Sequence, residues 1–252
     1  MRNIRIITRL DVKTDNLVKG VKLEGLRKLG PPNRFSTKYY EQGVDEIIYM
    51  DIVASLYERN SLSSIIRQAS QDIFIPLTVG GGIRSIEGAK VALHSGADKI
   101  AINTAIIKNP DLICAVADQF GSQCMVASVE AQSLQSGGWE AYYDNGREKT
   151  GIDVIDWVQE IEDRGAGEIL LTSVDKEGTG YGMDIELVSK VCEAVEIPVI
   201  ASGGVGSVKD IVEVVQNTTV SAVAIAKILH YEETSIFCIK DQLKKLQGIE
   251  VR

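Results

Sequence analysis

The sequence predicts an α/β fold, a closed (βα)8 TIM barrel of two similar half-barrels, and three observations carry that expectation. The first is an internal repeat. IPLTVGGGIRSIEGAKVALHSGADKIAINTAI, from Ile75, aligns with IPVIASGGVGSVKDIVEVVQNTTVSAVAIAKI, from Ile197, at an offset of 122 residues. The same offset sets YEQGVDEIIYMDI, from Tyr40, on EDRGAGEILLTSV, from Glu162, with Gly43 on Gly165 and Glu46 on Glu168. A slightly shorter offset sets Asp11 on Glu130. The second observation is that each half holds four short, nearly all-apolar runs, the pattern of parallel strands covered by helices. The third is that apolar residues at three-and-four spacing fill the gaps and end on glycine, as amphipathic helices do. Eight strand–helix units in 252 residues match a barrel. An open doubly wound sheet is the alternative, and equal halves with one strand order favour closure. A single domain is expected over residues 1–252, with half-barrels of about 1–120 and 121–252.

In order, strands are expected near Ile4–Asp11, Glu46–Asp51, Ile75–Gly80 and Lys99–Asn103. The second half supplies Cys124–Glu130, Glu168–Ser173, Ile197–Ser202 and Ser221–Ala226. Segments such as IEGAKVALHSGA and VIDWVQEIEDRGA read as the helices between them. The first connection, Lys13 to Pro32, is long and carries Lys19, Lys22, Arg27 and Lys28. Long loops in compact domains are usually functional or disordered, so it reads as a mobile cationic lid over an anionic substrate, or as a solvated charge run.

Composition narrows the function. The chain is 44% hydrophobic and 25% charged, ordinary for a soluble protein, with 27 basic against 35 acidic residues and a net charge of −8. Nucleic-acid binding leaves a basic footprint and is not expected, whereas a phosphorylated small substrate needs only local amides and a lysine or two. The N-terminal run MRNIRIITRLDV has no signal-peptide core, and no stretch reaches the length of a membrane span, so a cytoplasmic protein is expected. Cys114, Cys124, Cys192 and Cys238 are far apart and read as buried free thiols. Two distant histidines, His94 and His230, support neither a histidine-rich metal site nor a Ser-His-Asp triad. No metal or cofactor is expected.

Active sites of such barrels lie at the C-terminal ends of the strands. There the sequence puts Asp11, Asp51, Gly80-Gly81-Gly82, Asn103-Thr104, Glu130, Ser173-Val174-Asp175, Ser202-Gly203-Gly204 and Ala226-Lys227. Both glycine turns are expected to open a helix whose amides suit an oxyanion, giving two phosphate sites across the barrel mouth. Asp11 and Glu130 stand between them; two facing carboxylates can divide acid and base roles, unless one merely accepts hydrogen bonds from a loop. At the opposite end Arg5, Glu46, Lys99 and Glu168 begin four strands. Buried unpaired charge is costly, so two bases and two acids suggest a neutral ring, either a structural cap or a gate.

The passages RLDVK…LVKG, LEGLRKLGPP, DEIIYMDIVAS, TVGGGIRS, GADKIAINTAI, FGSQCMVAS, RGAGEILLTSVDKEGTGYG and PVIASGGVGS together resemble the cyclase subunit family of imidazole glycerol phosphate synthase, over Arg5 to about Arg252. The resemblance implies a bis-phosphorylated substrate, made from an aminoimidazole carboxamide nucleotide and phosphoribulose. It takes up ammonia, closes to imidazole glycerol phosphate and releases the carboxamide nucleotide. It implies a class I glutaminase docked on the barrel floor, with ammonia travelling through the barrel. By the same resemblance Asp11 is catalytic, with Glu130 at the second catalytic position, and Lys19 is the loop lysine. Gly81, Gly82, Asn103 and Thr104 form one phosphate site; Glu177, Gly178, Gly203, Gly204, Ala226 and Lys227 belong to the other. Arg5, Glu46, Lys99 and Glu168 are the ammonia gate, and Asp98 and Gln123 face the partner.

Four positions depart from the family pattern. Glu130 stands for an aspartate, Arg9 for a small residue, Glu177 for an aspartate and Lys227 for a phosphate-binding serine. All four cluster at the mouth, not at the gate. They keep open a paralogue that conducts ammonia for amidination of bacterial surface sugars. The related sugar-phosphate isomerase barrel, which needs no ammonia, and a non-catalytic activator subunit are further alternatives.

Overall fold

A computed structural model describes residues 2–52 and 63–251 of the chain. Val53, Ala54 and Ser55 of the DEIIYMDIVAS passage, and Arg252, lie outside the described residues.

The main sheet holds, in chain order, β1 (Arg5–Lys13), β2 (Asn16–Val21), β3 (Glu24–Gly30), β4 (Glu46–Asp51), β5 (Leu77–Gly80), β6 (Lys99–Ile102), β7 (Met125–Ser133), β8 (Trp139–Tyr143), β9 (Glu148–Asp153), β10 (Glu168–Ser173), β11 (Val199–Ser202) and β12 (Ala222–Ile225). Eight of these run parallel in the order β1-β4-β5-β6-β7-β10-β11-β12, and β12 pairs back onto β1 with Ala222 opposite Arg5. The expected barrel is closed. β5 and β11 start two residues later than expected, after Pro76 and Pro198, because proline has no N–H to give the ladder.

Ten helices among the described residues shield the sheet: α1 (Pro32–Glu41), α2 (Ser63–Asp72), α3 (Ile86–His94), α4 (Thr104–Lys108), α5 (Asp111–Phe120), α6 (Val154–Asp163), α7 (Ile185–Ala194), α8 (Val208–Asn217), α9 (Lys227–His230) and α10 (Ile236–Leu243). α6 shows why they form. Val154, Trp157, Val158 and Ile161 share its buried face, and the Asp153 carboxylate caps its start by accepting from the Ile155 and Asp156 amides at 2.7 and 3.3 Å. Truncating Trp157 to alanine would cost about 3–5 kcal/mol. None of the described helices is long and apolar enough to cross a membrane.

Two apolar cores result. The larger lies between helices and sheet. The smaller fills the barrel with Ile7, Ile48, Ala101, Val126, Leu170, Ile200, Ala222 and Ala224. It separates a charged floor from a charged mouth.

Two expectations need correction. The segment after β1 is not a loose lid: β2 and β3 form a hairpin whose two-residue turn, Lys22-Leu23, has φ of 50° and 64°. Its residues Leu17, Val18, Lys19 and Leu23 are buried, so apolar packing and an ion pair hold it to the barrel. The cysteines are free, but Cys238 is exposed on α10 and the other three are only half-buried.

Candidate active site and floor ring

Strand periodicity explains both charged ends. On β1, Arg5, Ile7, Arg9 and Asp11 follow the two-residue period, and Ile7 belongs to the inner core, so all four side chains point into the barrel. The equivalent positions Glu46 on β4, Lys99 on β6 and Glu168 on β10 join Arg5 at the floor. Arg5 Nη1 lies 2.7 Å from Glu46 Oε1, and its Nη2 pairs with Glu168. Lys99 Nζ lies 3.2 Å from Glu46 and 2.9 Å from Glu168. The four alternating charges close one ring. Asp98 and Gln123 are exposed at this end, although Asp98 also accepts the Leu77 amide at 2.8 Å.

At the mouth, Asp11 and Glu130 occupy strands β1 and β7, which are four strands apart in either direction and therefore opposite. Both carboxylates are buried, at 4% and 8% exposure. Their surroundings differ. Arg9 Nε donates to Asp11 Oδ1 at 2.8 Å, and Lys19 Nζ, carried in by the β2–β3 hairpin, stands 3.6 Å from Oδ2. Burial alone would raise the Asp11 carboxyl, but Arg9 and Lys19 overcome it and hold the group below the ordinary aspartate value. Glu130 has the reverse balance. Its Oε2 accepts the Gly146 amide at 2.7 Å, from the turn of the β8–β9 hairpin. Burial pushes its carboxyl up to about 7; the Gly146 amide and Arg9 resist, while Asp144 and Asp11 reinforce the rise.

Two cavities flank the carboxylates. The first, about 60 Å³, is lined by Gly81, Gly82, Asn103, Thr104, Asp51 and Glu130 among others. Thr104 Oγ1 donates to Asp144 Oδ1 and accepts the Asp144 amide, both at 3.2 Å. Gly81, at φ 96°, permits the turn: a Cβ there would run into the Asp51 carbonyl. The second cavity is lined by Lys19, Glu177, Gly178, Gly203, Gly204, Ala226 and Lys227, and its volume is only about 20 Å³. It is nearly filled because Lys19 and Glu177, both buried, pair across it. Lys227 Nζ donates to the Thr179 carbonyl at 3.4 Å.

Contrary to the sequence expectation, the glycine turns do not open the long helices. α3 starts at Ile86, with Ser85 Oγ accepting from Gly88, and α8 starts at Val208 behind a Ser207–Asp210 capping box. Each of these helix starts thus already carries a side-chain cap. The helices that begin at the cavities are the short α4 and α9, at Thr104 and Lys227.

Sequence reading missed the β8–β9 hairpin and with it Asp144 and Gly146. The run AYYDNGREKT, an Asp-Asn-Gly turn between alternating residues, is the signal that marks it. It also gave no role to His230, which is buried under the mouth. His230 Nε2 lies 3.1 Å from the Arg9 carbonyl and Nδ1 lies 2.7 Å from the Tyr39 hydroxyl. Burial, reinforced by Lys19, pushes the imidazole down to about 4, so near neutral pH Nε2–H donates to Arg9 and Nδ1 accepts from Tyr39.

The model of the histidine biosynthesis protein family matches residues 5–235. An imidazole glycerol phosphate synthase subunit HisF from Legionella pneumophila is 58% identical over 83% of this chain and 99% of its own length. Proteins of the same name from Lactococcus lactis subsp. cremoris (strain SK11) and Streptococcus sanguinis (strain SK36) are 48% and 44% identical, covering 96% and 98% of this chain and 93% and 98% of theirs. A barrel with these carboxylates at its mouth, matched along nearly its whole length, belongs to the histidine biosynthesis protein family, with imidazole glycerol phosphate synthase HisF subunits as its relatives.

Proposed function

We propose that this chain is the cyclase subunit of an imidazole glycerol phosphate synthase. It would take ammonia and the bis-phosphorylated carboxamide nucleotide to imidazole glycerol phosphate and the released aminoimidazole carboxamide ribonucleotide. One observation carries the reading: opposed buried carboxylates, Asp11 and Glu130, stand between two glycine-lined cavities at the mouth of a barrel 44–58% identical to HisF subunits. Gly81, Gly82, Asn103 and Thr104 would hold one phosphate. Gly178, Gly203, Gly204, Ala226 and Lys227 would hold the other, with Lys19 leaving Glu177 for it. The protein would work in the cytoplasm without metal or cofactor. Introducing the gene into a cyclase-deficient histidine auxotroph should restore growth without histidine. No growth despite soluble expression would refute the reading.

The floor supports a partner. Arg5, Glu46, Lys99 and Glu168 form a ring that can shut against water and open when a docked protein rearranges it. A class I glutaminase on this face would feed ammonia inward, sheltered from protonation. Lys99→Ala should lower glutamine-dependent turnover at least several-fold and largely spare turnover on added ammonium salt. Equal loss on both nitrogen sources would make the ring a structural cap.

One set of observations favours the surface-sugar paralogue as a second reading. Arg9, Glu130, Glu177 and Lys227 all line or approach the mouth while the floor ring is intact. Glutaminase binding without rescue of the auxotroph would select it.

A further inference from the structure

Arg9 crosses the inside of the barrel. Its side chain leaves β1 one pleat below Asp11, and its Nη1 donates to Thr172 Oγ1 at 3.0 Å on β10, three strands round the wall. Ser202 Oγ on β11 is 3.5 Å from the same nitrogen. Between these strands and β1 lies β12, whose inward residues, Ala222 and Ala224, are small. The guanidinium is thus anchored at both ends and only 3% exposed. Its remaining bond goes to Asp11.

The two mouth carboxylates are thereby made unequal. Asp11 is held on both oxygens, by Arg9 at 2.8 Å and Lys19 at 3.6 Å. For it to take a proton, a buried ion pair would have to be broken, and breaking such pairs is strongly unfavourable. Among the described residues Glu130 has no cation within ion-pair distance, and its one hydrogen bond is from a backbone amide. The groups facing the pair are Arg9 and Asp11 from β1, Lys19 from the β2–β3 hairpin, Asp144 from the β8–β9 turn, Glu177 after β10, and His230 at the end of α9.

Resting on the cyclase reading, we propose that Arg9 is a positioning residue that pins Asp11 as a fixed anion and leaves Glu130 as the carboxyl that exchanges the proton during cyclisation. The direction of each group's titration agrees with this: Asp11 is held down and Glu130 is pushed up to about 7. A carboxyl that ionises near the working pH can both give and accept a proton, which is the requirement of general acid–base catalysis. The arginine at residue 9 and the glutamate at residue 130, both departures from the family pattern, then form one functional unit.

The test is a carboxyl-carbon NMR titration of the full chain labelled at aspartate Cγ and glutamate Cδ. Asp11→Asn and Glu130→Gln assign the two signals by their loss. In the parent, the Glu130 signal should titrate near pH 7 and the Asp11 signal below the ordinary aspartate value. In Arg9→Met both midpoints should rise, Asp11 by roughly one pH unit or more. With ammonium salt as nitrogen source, the pH profile of kcat/KM should carry a limb near 7 that moves upward in Arg9→Met and returns in Arg9→Lys. A parent Glu130 that titrates below pH 5 overturns the proposal, and this measurement needs no Arg9 variant to fold. So does an Asp11 midpoint unchanged in Arg9→Met. A parent that gives the expected titrations yet fails to convert the nucleotide refutes the cyclase reading and leaves the pinning of Asp11 by Arg9 standing.

Discussion

The two half-barrels put a carboxylate at the same place and then treat it in opposite ways. In each half the first strand runs on into a hairpin that folds over the mouth, β2–β3 after β1 and β8–β9 after β7. The first hairpin brings a lysine ammonium to Asp11; the second brings a backbone amide to Glu130 and an aspartate beside it. The repeat sets position, and the hairpins set charge. Two equivalent side chains can therefore serve different chemistry without any change in the barrel beneath them.

Substitution can break this asymmetry. The largest effect is expected from Glu130→Gln, which removes an exchangeable proton; ammonium-dependent turnover should fall roughly 10²–10⁴-fold while the melting curve at pH 5 stays where it was. Asp11→Asn should also lose activity, but its distinguishing mark is stability. It strands Arg9 without its anion and leaves Lys19 with Glu177 alone, at a cost of about 3 kcal/mol and roughly 6–12 °C in Tm by calorimetry at neutral pH. If both variants melt alike, the two carboxylates are not in different environments.

The pH dependence sharpens the same contrast. Glu130 ionises near 7 in the fold against an ordinary glutamate value of 4.5. The folded state therefore holds its proton longer, and the stability this contributes is complete below pH 4.5 and lost as pH rises through 7. Glu130→Gln should then melt roughly 5–10 °C above the parent at pH 8, with the gap closing by pH 5. A constant gap would mean that burial does not govern this carboxyl. The smallest effect concerns the cavities. Lys227→Ser removes a point charge from the second one only, so inorganic phosphate affinity there, measured by calorimetry, should weaken about three- to tenfold. Equal weakening at both sites would separate Lys227 from that cavity.

Much of this was legible in the sequence because the repeat is long and its strands are buried on both faces. The eight strand runs, the position of Asp11 opposite Glu130 and the four floor charges all follow from periodicity and offset. The hairpins did not follow. Lys22-Leu23 carries positive φ without glycine or asparagine at its first position, so the turn has no compositional mark. Nor does a lysine-rich segment announce that one of its lysines, Lys19, is 4% exposed and paired. Arg9 was visible as an odd residue on an apolar strand, but its reach to Thr172 depends on Ala224, more than two hundred residues later in the chain. His230 stayed silent for the same reason.

The bar that Arg9 lays across the barrel would also sort by sign anything that crossed it. Any small molecule moving from floor to mouth must pass a guanidinium, and Asp11, which balances it, lies further along the strand toward the mouth. At about 4 Å and an effective dielectric of 20, like unit charges repel by about 4 kcal/mol, which the more distant Asp11 offsets in part. On the proposed reading, in which ammonia enters from the floor, an ammonium ion rising through the apolar layer would meet that repulsion, whereas neutral ammonia would meet an N–H that its lone pair can accept. Nitrogen arriving from below would then be biased toward the one form that can act as a nucleophile.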